Sequence, residues 1–208
     1  MLLRCLSGCL LIFGTVVMAD EPAPSKPMLV SEANLPQGFP AAGPVGKVIV
    51  KTYPAHRLAR TAAGDGGDNR MFMRLFGHIK RNEIAMTAPV TMDWSGEPAE
   101  RGGPESMAFL YAEPDLGEAG PDPADENVTV EDVPEATVVS IGLRGSYGEK
   151  TFRKGAEQLA AWLAEHPEWE PAGPPRMLAY NSPFVPGLLK YSEIQRPVRP
   201  APQPPARP

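Results

Sequence analysis

The sequence predicts an α+β domain in which two successive β-α-β-β units supply an antiparallel sheet, curled or closed, that carries two helices. Strand-like and helix-like segments follow one another in the same order in both halves of the chain. Two of those segments carry apolar stripes at helical spacing, and proline-rich stretches at both ends bound the region where any such pattern occurs.

In the first unit, residues 47–58 read as a strand, 68–81 as a helix, and 84–94 and 106–112 as strands. Asp68 or Asn69 is placed to cap the helix, and Phe72, Leu75, Phe76 and Ile79 form one apolar stripe with Met71 at its edge, so that stripe is the predicted core face. Along 84–94, alternation sends Ile84, Met86, Ala88 and Val90 to one side and Ala85, Thr87 and Pro89 to the other. In the second unit, 136–144 is strand-like, 149–165 helical, and 176–181 and 188–195 strand-like. Phe152, Ala156, Leu159, Ala160 and Leu163 share one face of the second helix, with Ala156 and Ala160 small enough to let it lie close to the sheet. Glu149, Lys150, Arg153, Lys154 and Glu157 face solvent. Between the units, 113–135 is rich in Asp, Glu, Pro and Gly and reads as a long acidic loop.

The 208 residues suit one domain, placed at 45–198. Residues 20–44 hold six prolines counted from Pro22 to Pro44, and 199–208 continue a stretch that is half proline, so both read as extended tails. Residues 1–19 combine Arg4, an apolar run over 9–17 and small residues ending at Ala19, the pattern of a cleaved export signal. The run is shorter than the ~20 residues that span a bilayer. The expected protein is therefore periplasmic or extracellular with no stable membrane span, retention of 1–19 as an anchor being the other reading. Cys5 and Cys9 both lie in that segment, which leaves the exported chain without disulfides, cysteine nucleophiles or thiolate metal sites. The formal charge of −5, one unit more negative once Arg4 is gone, argues against nucleic acid as a partner.

Candidate chemistry is sparse. No Gly-x-Ser-x-Gly elbow or paired-carboxylate context stands out, and residues 64–68, Gly-Asp-Gly-Gly-Asp, lack the features of a phosphate or calcium loop. His56, His78 and His166 are not spaced to share a metal, so no metal site is assigned. His56 reads as an edge or surface residue and His166 as a cap of the second helix, while His78 sits on the flank of the first helix between the core stripe and the polar face. Met73 is the clearest departure from pattern, lying about 100° from Phe72 on a face shared with Arg70, Gly77 and Lys80. Such a face supports a flat apolar ligand with carboxylates at its rim: Gly77 permits close approach, Met73 contacts the plane, and Arg70 or Arg74 pairs with the carboxylates.

The run Asn82-Glu83-Ile84-Ala85-Met86-Thr87-Ala88-Pro89-Val90, after a short helix ending in basic residues, resembles the signature of the SOUL haem-binding family. Tyr53-Pro54 in the first strand, Tyr180-Asn181-Ser182-Pro183-Phe184 and Lys190-Tyr191-Ser192-Glu193-Ile194 are similar to further family motifs, so the resemblance spans about 48–194. Thr52 stands where one branch of the family has a histidine, and Tyr191-Ser192 stand in place of Arg-Asn. The resemblance implies a distorted antiparallel β-barrel with two helices, like bacterial effector-binding domains. It also implies non-covalent binding of haem or another tetrapyrrole against the first helix by a protein that is not an enzyme. Arg70, Met73, Arg74, Gly77 and His78 then become the groove positions, with His78 the candidate iron ligand. A module for another apolar or cationic small molecule and an envelope scaffold for protein partners are the alternatives.

Overall fold

Proline 54 cannot donate to a ladder, and there the expected first strand divides. In the computed structural model, which describes residues 28–94 and 103–202, it forms β1 (Val48–Tyr53) and β2 (His56–Ala62), on opposite sides of the sheet. There follow α1 (Gly67–Arg81), β3 (Val90–Asp93), β4 (Ser106–Leu110), β5 (Gly120–Asp122), β6 (Asp125–Val133), β7 (Ala136–Arg144), α2 (Glu149–Glu165), β8 (Trp169–Pro171), β9 (Arg176–Ala179), a 3-10 turn (Gly187–Leu189) and β10 (Tyr191–Pro200). The strands make one ten-stranded antiparallel sheet in the order β1-β7-β10-β9-β3-β4-β2-β6-β5, with β8 added beside β10. The α+β class with two helices is as expected. The expected export segment 1–19, and residues 20–27 and 203–208, lie outside the described residues.

Several expectations are corrected. Residues 113–135 are not a loop: they hold β5 and β6, and β6 pairs along β2 with Val128 and Val130 buried. Period two is confined there to the middle of the strand, where buried Val128 and Val130 alternate with half-buried Thr129 and Glu131. Residues 84–89 are not a strand, and Thr87, Ala88 and Pro89 are buried in succession rather than alternately. Their polar groups are satisfied elsewhere, since Ala88 N–H donates to Asn34 O and Thr87 Oγ1 donates to Leu110 O. The described part of the N-terminal proline-rich segment is no detached tail. Met28, Leu35, Phe39 and Ala42 pack on Tyr53, Val138, Leu178, Tyr180 and Tyr191. Nor does the domain stop at 198, because β10 runs to Pro200 and pairs its last residues with β8.

Two apolar layers follow from strand alternation. On the helix side, Val139, Ile141, Met177 and Ile194 join Met71, Leu75, Ile79, Phe152 and Leu159. The residues between them, such as Val138 and Leu178, face the arm formed by residues 28–46. Phe39 of that arm meets Tyr53 of β1 edge-on at 5.1 Å and His56 of β2 at 5.0 Å. One ring thus touches strands from opposite halves of the sheet, as curling requires. Close approach of α2 depends on Gly155, not on Ala156 and Ala160: a Cβ there would lie 2.3 Å from Ile194 Cγ1, whereas Ala160 is exposed.

Beneath the arm lies a fully buried carboxylate, Glu193. Its Oε1 accepts from Gly43 N–H (2.5 Å), Lys51 Nζ (2.7 Å) and Tyr191 OH (3.1 Å), and its Oε2 from Ser140 Oγ (2.8 Å) and Gln195 Nε2 (3.3 Å). Burial alone raises a carboxyl pKa, but the Lys51 ammonium and these hydrogen bonds outweigh it and hold Glu193 below its ordinary value. Lys51→Met removes the cation and leaves the carboxylate buried, and is expected to cost about 3–5 kcal/mol by urea denaturation. Lys51→Met with Glu193→Gln recovers much of that loss.

Candidate functional site

Phe72 and Phe76 lie one turn apart on α1, and their rings are near parallel with centroids 6.2 Å apart. Phe76 leaves the expected core stripe, being 41% exposed, while Phe72 stays half-buried with its ring edge-on to Phe109 of the core at 5.1 Å, and the face turned inward carries Met71, Leu75, His78 and Ile79. The helix is therefore rotated toward Met71 and His78 relative to the expected stripe. Its N-cap is Gly66 rather than Asp68 or Asn69, with Asp68 in the first turn near the positive end of the helix dipole.

That rotation leaves a groove of about 560 Å³ between the two phenylalanines, residues 86–90, the end of β9 and the arm. A second hollow of about 230 Å³ shares Phe72, Val90, Ala179 and Asn181 as walls and reaches Met92, Met107, Tyr147 and Lys190. Val90 and Ala179 are register partners of β3 and β9, so the floor is sheet. The arm closes one side with Ser31, Glu32, Ala33 and Asn34. Its fastenings are the Asn34 carbonyl, which accepts from Ala88 N–H (2.9 Å), and the Val30 carbonyl, which accepts from Asn181 Nδ2 (2.8 Å). The Glu32 carboxylate accepts from Ser182 N–H (2.8 Å) and Oγ (2.7 Å).

Among the described residues, Lys190 is the one cation lining either hollow; Glu32 lines the larger and Asp68 the smaller. Its ammonium sits 5.0 Å from the centre of the Tyr147 ring. Burial pushes the Tyr147 hydroxyl up to about 12, so it stays neutral, donating to Tyr191 O and accepting from Asn181 N–H.

The five residues singled out from sequence are separated. Arg70 is exposed, donating to Asp65 O, and Arg74 pairs with Asp125 at 3.5 Å. Both line a different, charged hollow that also holds Arg60, Asp65, Glu126 and Glu131. Met73 stands 59% exposed on the crest of the helix, with Gly77 half-buried beside it. His78 is inside: Nδ1 lies 2.7 Å from Asp122 Oδ2 and Nε2 lies 2.7 Å from Tyr111 OH. With both ring nitrogens engaged in the interior, His78 is not available to iron, which corrects its candidacy as a ligand. His56 is buried rather than at the surface, its Nδ1 2.9 Å from Pro54 O, and His166 is the C-cap of α2, stacked on Trp162. Among the described residues no cluster of His, Cys, Asp and Glu suits a metal ion, and no helix is long and apolar enough to cross a membrane. Sequence missed Ser31 to Asn34, Asn181 and Lys190 as walls. It also misassigned Phe76 to the core and missed His78 there, although Met71, Leu75, His78 and Ile79 also have helical spacing.

A family model described as SOUL heme-binding protein matches residues 45–197. No curated protein matches the chain. Among solved structures, the fold is similar to the EcmrR C-terminal domain at 16% identity and a TM-score of 0.52, covering 74% of this chain and 98% of that one. It is also similar to a hydrolase from Listeria innocua at 12% identity and a TM-score of 0.55, covering 76% of this chain and 94% of that one. Against EcmrR in a DNA complex the chain spans 58% of the longer protein, at 16% identity and a TM-score of 0.55. At these identities the likeness is one of fold.

The His78 cluster gives a pH signature. Burial raises the Asp122 carboxyl, but hydrogen bonds from Ala124 N–H, His78 and Arg81 prevail and hold it at about 2. A depressed carboxyl stabilises the fold above its unfolded value and loses that contribution as pH falls toward its folded value. Asp122→Asn is expected to cost about 1–3 kcal/mol at pH 7, through loss of charge-assisted bonds. The gap from wild type, followed by thermal melts, narrows as pH drops from about 4 toward 2.

Proposed function

The chain belongs to the SOUL heme-binding protein family over residues 45–197, and on that premise we propose that it binds haem or a related tetrapyrrole without a covalent link, in the groove beside Phe72 and Phe76. The observation that carries the placement is the pair of near-parallel rings lining an open groove of about 560 Å³, Phe72 backed by Phe109 of the core and Phe76 half in solvent. That volume lies within the ~300–1,000 Å³ common for small-molecule sites. The residues present fit the group. Phe72, Phe76, Met86 and Val90 offer apolar and aromatic walls to a flat macrocycle, and Lys190 offers an ammonium to a carboxylate at its rim. No histidine lines either hollow; among the lining side chains, methionine sulfur, as in Met86, and tyrosine oxygen, as in Tyr147 and Tyr180, are ligand types that haem iron accepts. The role proposed is binding without turnover. Export to the periplasm or beyond is proposed with it, on the pattern of residues 1–19.

Two observations support other placements. Met73, at 59% exposure beside Gly77, favours a ligand on the helix crest with Arg70 or Arg74 at its edge. The Glu32 and Asp68 carboxylates at the groove favour a cationic aromatic ligand in place of haem.

Titration of the protein with hemin, followed in the Soret band, decides among them. Saturable binding at micromolar ligand is expected, and absence of any saturable change overturns the tetrapyrrole reading. Phe76→Glu places a charge on the apolar wall and is expected to raise the Kd about tenfold or more. Met73→Glu is expected to leave the Kd within about twofold, and the opposite ranking moves the ligand to the crest.

A further inference from the structure

Two large apolar side chains are left in water beside the groove. Phe184 is 94% exposed and Leu188 87%. A single exposed apolar residue is ordinary, but this pair sits on a braced tip. Val185 between them is buried at 8%, and its N–H donates to Ser182 O. Leu189 N–H donates to Pro186 O, Lys190 N–H to Gly187 O, and Gly145 N–H to Lys190 O. Pro183 and Pro186 fix their own φ. The approach to the start of α2 is so close that a Cβ on Gly187 would lie 2.2 Å from Ser146 Oγ. The exposure of Phe184 and Leu188 is therefore built into the fold.

Residues 182–190 contain no carboxylate, and their one charge is Lys190 at the base of the tip. Apolar side chains ahead of a long-stemmed cation suit a lipid headgroup boundary, where the ammonium stays with phosphates while the apolar groups pass below. A second copy of the chain is a poorer occupant, since each copy carries a net charge of −5. We infer that the 182–190 tip is a reversible contact site for a lipid bilayer, with Phe184 and Leu188 entering the acyl boundary. Two side chains of this size give weak, transient attachment, far short of a spanning helix. Because Ser182, Pro183 and Lys190 also line the hollows, the contact sets their mouth against the lipid. If the groove holds a tetrapyrrole, as proposed above, the ligand then passes between protein and bilayer with little exposure to water.

The test uses haem-free full-length protein, so that failure of hemin binding leaves it intact. Phe184→Trp adds a reporter at a site already in solvent, and its emission is obtained by difference from the unsubstituted protein. Neutral phosphatidylcholine vesicles are expected to shift that emission to the blue. Vesicles with brominated acyl chains are expected to quench it, whereas plain ones do not. Unchanged emission in both vesicle types overturns the inference, even where the protein sediments with lipid through another segment. A blue shift without lipid that grows with protein concentration assigns the tip to a second copy and overturns it equally.

Discussion

Glu193 is the constraint on which the rest of the molecule depends. A carboxylate with no solvent exposure is tolerated only when it is paired and its lone pairs are occupied, and here the partners come from four places in the chain. Lys51 comes from β1, Ser140 from β7, Tyr191 and Gln195 from β10 itself, and the Gly43 amide from the N-terminal arm. Tyr191 OH donates also to Gly43 O, and Lys51 Nζ to Ala41 O, so the arm is held from both sides of the ion pair. The proline-rich segment is thereby fixed across the sheet by a charge cluster that it completes.

The groove inherits its shape from that arrangement. Residues 31–34 reach the end of β9 because the following stretch is anchored at Gly43, and once there they wall the hollow opened by the Phe72 and Phe76 face of α1. On the far side of the helix, His78 is fixed by Asp122 and Tyr111, and Arg81 shares the same carboxylate. Turning His78 inward turns Phe76 outward and sets Phe72 at the edge of the core, since residues two and six positions before it on a helix stand at fixed angles from it. A buried polar cluster on one flank thus exposes the aromatic surface on the other.

Elements with an unambiguous period were legible in the sequence. The expected bounds of β7 and α2 coincide with those observed, because Val138 to Leu143 and Phe152 to Leu159 carry dense apolar patterns between clear breaks. What failed was composition used as a substitute for pattern. The acidic 113–135 stretch hid β6, whose inward face rests on Val128 and Val130 alone, flanked along the strand by carboxylates of both parities. Proline content concealed the packed arm, since proline excludes helix and inner strand but not extended chain lying on a sheet. On α1, treating histidine as a boundary residue placed Phe76 in the core, because the Asp122 partner that makes His78 a core residue lies 44 positions away.

The central claim is that a flat ligand lies between the Phe72 and Phe76 rings and the arm, and amide chemical-shift mapping with gallium protoporphyrin tests it most directly. The diamagnetic metal keeps signals near the ligand visible. The account predicts that the largest changes fall on Ala33, Asn34, Phe76, Met86, Ala88 and Asn181, which come from four separate segments that meet only at this groove. Changes concentrated on Arg70, Met73, Arg74 and Gly77, with Ala33, Asn34 and Met86 unmoved, would contradict it.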